Sequence, residues 1–166
     1  MNWNQLKNKI YAWDGGWLDI YVRDTTTKDW EKWTQYVNQN FRIDWYNGQT
    51  ERDESKIDFT VIQEYWDGNH DLCSTAKVFI DDNIQVNSHF FDNEEIENDI
   101  DPREFKTIED HNKLIDYLKG LSKILDSEVT VTPENCPDIE LMKIKGESVE
   151  INVDGDPKKW PLRIKK

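Results

Sequence analysis

The feature that most restricts the fold of this chain is a capped helix that leads directly into alternating strands, and it occurs twice, over 27–61 and 107–153. A threonine stands at the start of each helix, Thr26 or Thr27 in the first and Thr107 in the second. Its side chain can accept a hydrogen bond from the free N–H groups of the first turn. The segments that follow alternate apolar and polar residues, which is typical of antiparallel strands with one buried face. We therefore predict an α+β domain with a mainly antiparallel sheet of roughly seven or eight strands, as one sheet or two abutting sheets, and both long helices on one face.

Apolar residues at helical spacing predict three helices. They are a short helix at the start (Trp3, Leu6, Ile10), one over 28–38 (Trp30, Trp33, Val37) and a long one after Thr107 (Leu114, Leu118, Leu121, Leu125). Thr107 and Asp110 form a capping box in which Asp replaces the usual Glu. Gly120 interrupts the long helix, so we expect another element to approach the helix closely there.

Alternation predicts strands at 17–22, 41–46, 57–66, 76–80, 84–90, 128–132, 139–144 and 149–153. The first of them has apolar residues on both faces, so we expect it at the centre of the sheet. The segment 57–66 is the longest strand candidate, and the polar run 49–55 before it is predicted to be a loop.

The large aromatic residues are concentrated in the first half of the chain. Seven of the eight Trp lie within the first 66 residues, so we expect ring packing in the N-terminal core and Ile, Leu and Val packing in the C-terminal core. The length predicts a single domain, 1–166, with possible sub-halves 1–91 and 105–157 and a basic tail, 158–166.

Negative charge is densest in the segment 81–104, which holds nine carboxylates and a single base, Arg103, in a chain of net charge −13. Such a segment is either a solvated connector or a face that receives a positive partner. Apolar residues interleave with the acids, and a protein interface uses charge to speed encounter and apolar anchors to hold the complex. The residues predicted to bind a partner are the acids Asp92, Glu94, Glu95, Glu97, Asp99 and Asp101, with Phe91 and Ile96 as anchors.

The charge balance also excludes classes of partner, because nucleic acids and anionic membranes attract Lys and Arg instead. The basic tail is the exception. We interpret it as a terminus that docks on the acidic body. Two oligomeric states remain open: a monomer, and a homodimer in which this tail contacts the acidic face. The N-terminus has no apolar signal region, no run reaches the length of a membrane span, and the two cysteines predict no disulfide framework, so a cytoplasmic location is expected.

Catalytic and metal-binding motifs are not found in the sequence, and we predict no enzyme activity, cofactor or metal. His70, Asp71 and Cys73 lie close enough in sequence for zinc, but an ordinary polar loop explains them better. The acidic segment lacks the glycine and the spacing of an EF-hand calcium loop. A sugar groove formed by aromatic and acidic residues of the N-terminal half is the alternative to core packing; its members would be Trp45, Tyr46, Glu64, Tyr65, Trp66 and Asp67.

Two segments carry a family resemblance. DGGWLDIYV at 14–22, and the long helix that leads into EVTVTPENCPDIELMKI at 128–144, resemble small uncharacterised bacterial proteins, some of which look like immunity proteins of polymorphic toxin systems. The resemblance covers about a third of the chain and implies a protein that binds a secreted toxin, often a nuclease, and blocks it. We therefore expect a non-enzymatic antagonist of a basic toxin. The alternatives are a carbohydrate-binding module or glycoside-processing enzyme, and a structural or regulatory protein.

Overall fold

The computed structural model describes residues 1–71 and 74–152. It contains four α-helices and nine β-strands in these residues. The helices are α1 Trp3–Lys9, α2 Thr27–Asn40, α3 Phe59–Trp66 and α4 Ile108–Leu125. The strands are β1 Leu18–Val22, β2 Arg42–Asn47, β3 Arg52–Glu54, β4 Thr75–Asp81, β5 Ile84–Ser88, β6 Ile96–Ile100, β7 Val129–Pro133, β8 Met142–Lys145 and β9 Ser148–Ile151.

All the described strands belong to one antiparallel sheet in the order β3-β2-β4-β5-β6-β1-β7-β8-β9. The predicted α+β class is confirmed, but the sheet has more strands than predicted, and two abutting sheets are not formed. β1 lies between β6 and β7, so it joins the ladder formed by the first half of the chain to the ladder formed by the second half. The predicted central position of this strand is therefore confirmed.

The two long helices begin at the predicted capping threonines. The Thr26 hydroxyl accepts a hydrogen bond from the Asp29 backbone N–H, and the Asp29 carboxylate accepts one from the Thr26 N–H. Thr107 and Asp110 make the same reciprocal pair at α4. These contacts satisfy backbone donors that would otherwise lack partners at the helix ends, which explains why both helices begin where they do.

Helices α2 and α4 pack on each other and against one face of the sheet, as predicted. The Trp33 indole N–H on α2 donates to the Tyr117 hydroxyl on α4 over 3.2 Å. α2 contacts β2, and α4 contacts β4, β7 and β8. The close approach expected at Gly120 is confirmed: a Cβ there would overlap the hydroxyl and ring of Tyr36 on α2.

The inner face of the sheet, on the side of these helices, is mostly apolar, with Ser88 and Asn98 as buried polar members. Cross-strand pairing places one residue from each of eight strands in a single row on this face: Trp45, Ala76, Ser88, Asn98, Ile20, Val131, Met142 and Ile151. The helices contribute Trp30, Trp33, Leu114 and Leu118 to the same buried cluster. Burial of these side chains is the main source of stability.

Two predictions of secondary structure are wrong. The segment predicted as a strand at 57–66 forms helix α3, which begins after Asp58, whose carboxylate accepts from the Thr60 N–H. The loop predicted at 49–55 contains the short edge strand β3. Of the two alternatives left open for the acidic segment, a solvated connector does not describe its middle, because Ile96–Ile100 forms β6 inside the sheet. Tertiary pairing overrides local preference in each strand case.

Some predictions concern residues outside the described ranges. The basic tail 158–166 and Cys73 lie there, whereas Cys136 is described as a free, partly exposed thiol. Among the described helices, none combines the length and the apolar character needed to cross a membrane.

Candidate functional site

The outer face of the sheet, opposite α2 and α4, carries polar and charged side chains at its centre. One row on this face runs through Asp44, Lys77, Asn87, Asp99, Asp19 and Thr132, and a second through Glu97, Tyr21, Thr130, Lys143 and Glu150. The alternation of each strand produces this arrangement, because residues that follow one another point to opposite faces.

Asp19 and Asp99 are direct cross-strand partners at the centre of the outer face. Like charges in directly opposed positions destabilise a sheet. Asp19 is also buried, with a relative exposure of 5%, and it accepts hydrogen bonds from the Tyr21 hydroxyl at 3.0 Å and the Asn135 N–H at 2.8 Å. Burial raises the pKa of the Asp19 carboxyl to about 6; the two hydrogen bonds oppose this rise, and the nearby charges of Glu97 and Asp99 add to it.

Asp99 is held by two neighbours on the same face. Its carboxylate lies 2.7 Å from the His89 Nε2 atom and accepts a 2.7 Å hydrogen bond from the Asn87 side-chain amide. The bond to Asp99 raises the pKa of His89 above its usual value, against the opposing effect of burial. Near neutral pH this pair therefore carries more protonated imidazole than a free histidine would.

Glu97 lies beside this pair, opposite Tyr21 on β1. Partial burial raises the pKa of Glu97, and the charge of Glu95 adds to the shift. Neither Asp19 nor Glu97 forms a salt bridge with any residue that the structure describes. The centre of the outer face is therefore negative and is compensated only in part, by His89.

The chain that leads from β5 to β6 is fixed in place beside the acids. The Thr25 N–H donates to the Glu94 carbonyl and the Thr25 hydroxyl to the Asn93 carbonyl, both at 2.9 Å. The Asp92 carboxylate accepts hydrogen bonds from the N–H groups of Glu94 and Glu95. Glu95 lies 3.7 Å from Arg23, in a partly exposed pair that contributes little to stability.

The two phenylalanines of this segment point in opposite directions. Phe90 adopts a left-handed backbone conformation, φ 51°, which is rare for a bulky side chain. Its ring is buried against Trp30 and Trp33, and its carbonyl accepts a 2.8 Å hydrogen bond from the Trp66 indole. Phe91 is 60% exposed and stacks on His89, with ring centroids 5.4 Å apart. Strained backbone of this kind concentrates at functional sites.

The structure places the predicted partner-binding residues in different environments. Phe91, Asp92, Glu94, Glu95, Glu97 and Asp99 lie on the outer face or in the adjoining loop. Ile96 is fully buried on the inner face and cannot act as an anchor for a partner. The Asp101 carboxylate accepts hydrogen bonds from Nε and one terminal nitrogen of the Arg103 guanidinium, so its charge is already compensated. The guanidinium itself lies over the Trp13 ring, 3.9 Å from its centroid.

Sequence reasoning missed Asp19, Tyr21 and His89, which complete the acidic centre. The signal for the first two was present, because strict alternation in β1 places Asp19 and Tyr21 together on one face. Their proximity to β6 could not be read from the chain, since it depends on a pairing between segments far apart in sequence.

The sugar groove considered as the alternative to core packing is not assembled. Trp45 is fully buried on the inner face, whereas its neighbour Tyr46 is 38% exposed on the outer face. Tyr65 and Trp66 belong to helix α3. These residues therefore do not line one groove.

The described residues also contain no group of three or more His, Cys, Asp or Glu side chains arranged to hold a metal ion. His70, considered for zinc, has its Nε2 atom 2.9 Å from the Val61 carbonyl. Comparison of the chain with models of known protein families, with curated proteins and with solved structures finds no match.

Proposed function

We propose that this protein is a non-enzymatic, acidic binding protein that acts as an immunity-type antagonist of a basic bacterial toxin, and that the outer face of its sheet receives the toxin. The observation that carries the proposal is the opposition of Asp19 and Asp99, with Glu97 beside them and no Lys or Arg of the described chain paired to Asp19 or Glu97.

Ionised carboxylates packed in this way lower the stability of the fold. Their presence is explained if they serve a function such as binding a cationic partner. Elsewhere the same protein pairs its acids readily: Asp81 lies 2.6 Å from Lys113, and Glu147 contacts both Lys119 and Lys123. Functional sites are rich in titratable groups whose pKa is shifted by burial and by neighbouring like charges. A bound cationic partner would relieve the repulsion and would restore the ionised form of Asp19.

The neighbouring loop supplies an apolar contact next to the charge. Phe91 is an exposed ring that stacks on His89, and aromatic residues, Phe among them, are enriched in protein interfaces. The negative face would accelerate encounter with a basic protein, and Phe91 would slow its dissociation.

The experiment begins with the partner, isolated with the tagged chain from its source organism and then purified. Its association rate is measured by stopped-flow over a series of salt concentrations. Replacing Glu94, Glu95 and Glu97 with Lys should slow association about tenfold or more at low salt, and this difference should vanish at high salt.

The matched control reverses three exposed acids of the long helices, Glu31, Glu109 and Asp116, which changes the net charge by the same amount. This control should retain most of the association rate. Equal rates for the two triple variants would remove the outer face from the proposal. Co-expression in bacteria tests the antagonism, since the chain should restore growth to cells that produce the purified partner, and unrestored growth would contradict an immunity role.

A further inference from the structure

A groove of about 400 Å³ crosses the outer face beside the acidic centre. We call it the Trp17 groove; its walls include Trp17, Lys77, Asn87, His89, Asp99 and Glu134. The volume lies within the range of about 300–1,000 Å³ that is usual for ligand sites. The groove is open to solvent and adjoins Phe91 through the stack of that ring on His89.

Two strands and a loop fix the position of its charged walls. The Trp17 N–H donates to the Glu134 carboxylate at 3.3 Å, and the Glu134 N–H donates to the Trp17 carbonyl at 3.0 Å. Asp99 is held on the other side by Asn87 and His89. The groove therefore presents two carboxylates and an indole ring on supports that already have defined geometry.

We propose that the Trp17 groove takes an arginine side chain of the basic partner, an inference that rests on the proposed function. A guanidinium group is planar and donates paired hydrogen bonds to carboxylates, and it stacks on aromatic rings, with Trp the most favourable. Asp99 and Glu134 supply the acceptors and Trp17 the ring. A lysine ammonium supplies the positive charge, but it cannot donate two parallel hydrogen bonds to a carboxylate or stack as a plane on the indole ring.

Lys77 provides an internal check on this assignment. It is a second basic side chain in the groove wall, beside His89, and its side chain is exposed. It repels any cation that enters, so removing its charge should strengthen binding of arginine. An anionic ligand would show the opposite dependence on Lys77.

The probe is the peptide acetyl-Gly-Arg-Gly-amide, compared with its lysine and citrulline counterparts. Binding to the full ¹⁵N-labelled chain is followed through the Trp17 indole N–H resonance, assigned with Trp17→Phe. We expect the arginine peptide to shift this resonance at millimolar concentration, the lysine peptide to bind several-fold more weakly, and neutral citrulline to leave it unchanged. Glu134→Gln should weaken arginine binding at least fivefold, Lys77→Met should strengthen it, and Glu140→Gln, a control outside the groove, should not change it.

Equal responses to arginine and citrulline, or an unchanged affinity in Glu134→Gln, would overturn the assignment of the groove. The purified partner separates this failure from failure of the proposed function. Suppose that Glu134→Gln leaves partner affinity unchanged while the reversal of Glu94, Glu95 and Glu97 slows association. The arginine proposal for the groove is then wrong, and the proposal that the outer face binds the partner is retained. If neither change affects the partner, both proposals fail.

Discussion

Asp19 on β1 lies directly opposite Asp99 on β6, so two acids face each other at the centre of the sheet. Asp19→Asn should relieve this repulsion while keeping a side-chain oxygen for the Tyr21 hydroxyl and the Asn135 N–H. The folded pKa of about 6 exceeds the unfolded value of 3.8, so the wild type is penalised above pH 6 and loses that penalty as the pH falls toward 4. Urea denaturation should show the variant more stable at pH 8, by a margin that shrinks at pH 4.5.

The exposed residue Asp44, in the same row, is the control. Asp44→Asn should change the free energy of unfolding little at either pH. A gain for Asp19→Asn that is independent of pH would contradict the assigned protonation.

His89 should titrate above pH 6.5, because Asp99 stabilises its protonated form. The raised folded pKa means that this pair contributes its full stabilisation below about pH 6.5 and loses it as the pH rises through the folded value. NMR titration of the imidazole resonances checks the direction. Asp99→Asn should lower the His89 pKa, and an unaltered value would show that Asp99 is not the cause.

His111 should behave in the opposite way. It is buried on α4 with its Nδ1 atom 2.7 Å from the Tyr11 hydroxyl, and burial lowers its pKa. Its contribution is present above the unfolded pKa of about 6.5 and is lost as the pH falls below it. The wild type should lose stability between pH 7 and 5 relative to His111→Asn, as measured by chemical denaturation, and a His111 titration at or above 6.5 would contradict this.

Gly120→Ala should destabilise the protein although alanine favours helices. The new methyl group would overlap the Tyr36 ring, whose hydroxyl donates to the Tyr117 carbonyl at 3.2 Å. Overpacking costs about 1–3 kcal/mol, against a helix-propensity gain of about 1 kcal/mol. In a Tyr36→Ala background the same substitution should become stabilising; a loss that persists there would place the cause elsewhere.

Tryptophan fluorescence should separate into a shielded and an accessible class. Trp30, Trp33 and Trp45 are almost fully buried, whereas Trp13 is 45% exposed. Acrylamide should quench the accessible fraction of the emission and leave the shielded fraction, and Trp13→Phe should reduce the accessible fraction. A panel of glycans should leave the spectrum unchanged. A saturable response of the buried class to a sugar would contradict the core assignment and revive the carbohydrate alternative.

The elements that sequence reasoning predicted well are those whose signals are local. Each helix start is marked by a pair three residues apart, Thr26 with Asp29 and Thr107 with Asp110. The spacing of the apolar residues that follow each pair shows which face of the helix is buried. The alternation of β1 likewise predicted a strand with two buried faces.

The failures arise where local preference and tertiary context disagree. Ile57, Phe59 and Val61 alternate like a strand, but Val61 and Ile62 are the residues buried when the segment coils after its Asp58 cap. β6 contains Glu97, Asn98 and Asp99, which disfavour strands, and it becomes a strand because β5 and β1 supply partners on both sides. The candidate site shares this dependence, since Asp19 and Asp99 meet only through that pairing.

The position of β1 also has a consequence for folding during translation. Leu18 pairs with Ile100 on one side and with Pro133 on the other, so both neighbours of β1 are translated long after it. Until β6 is translated, β1 has no strand partner on either edge, and one edge stays unpaired until β7 follows. Loop closure must precede any stabilisation from this pairing. The strands from β3 to β1 in the sheet order can therefore pair before β7 is translated, whereas β7, β8 and β9 can only be added afterwards to the open edge of β1.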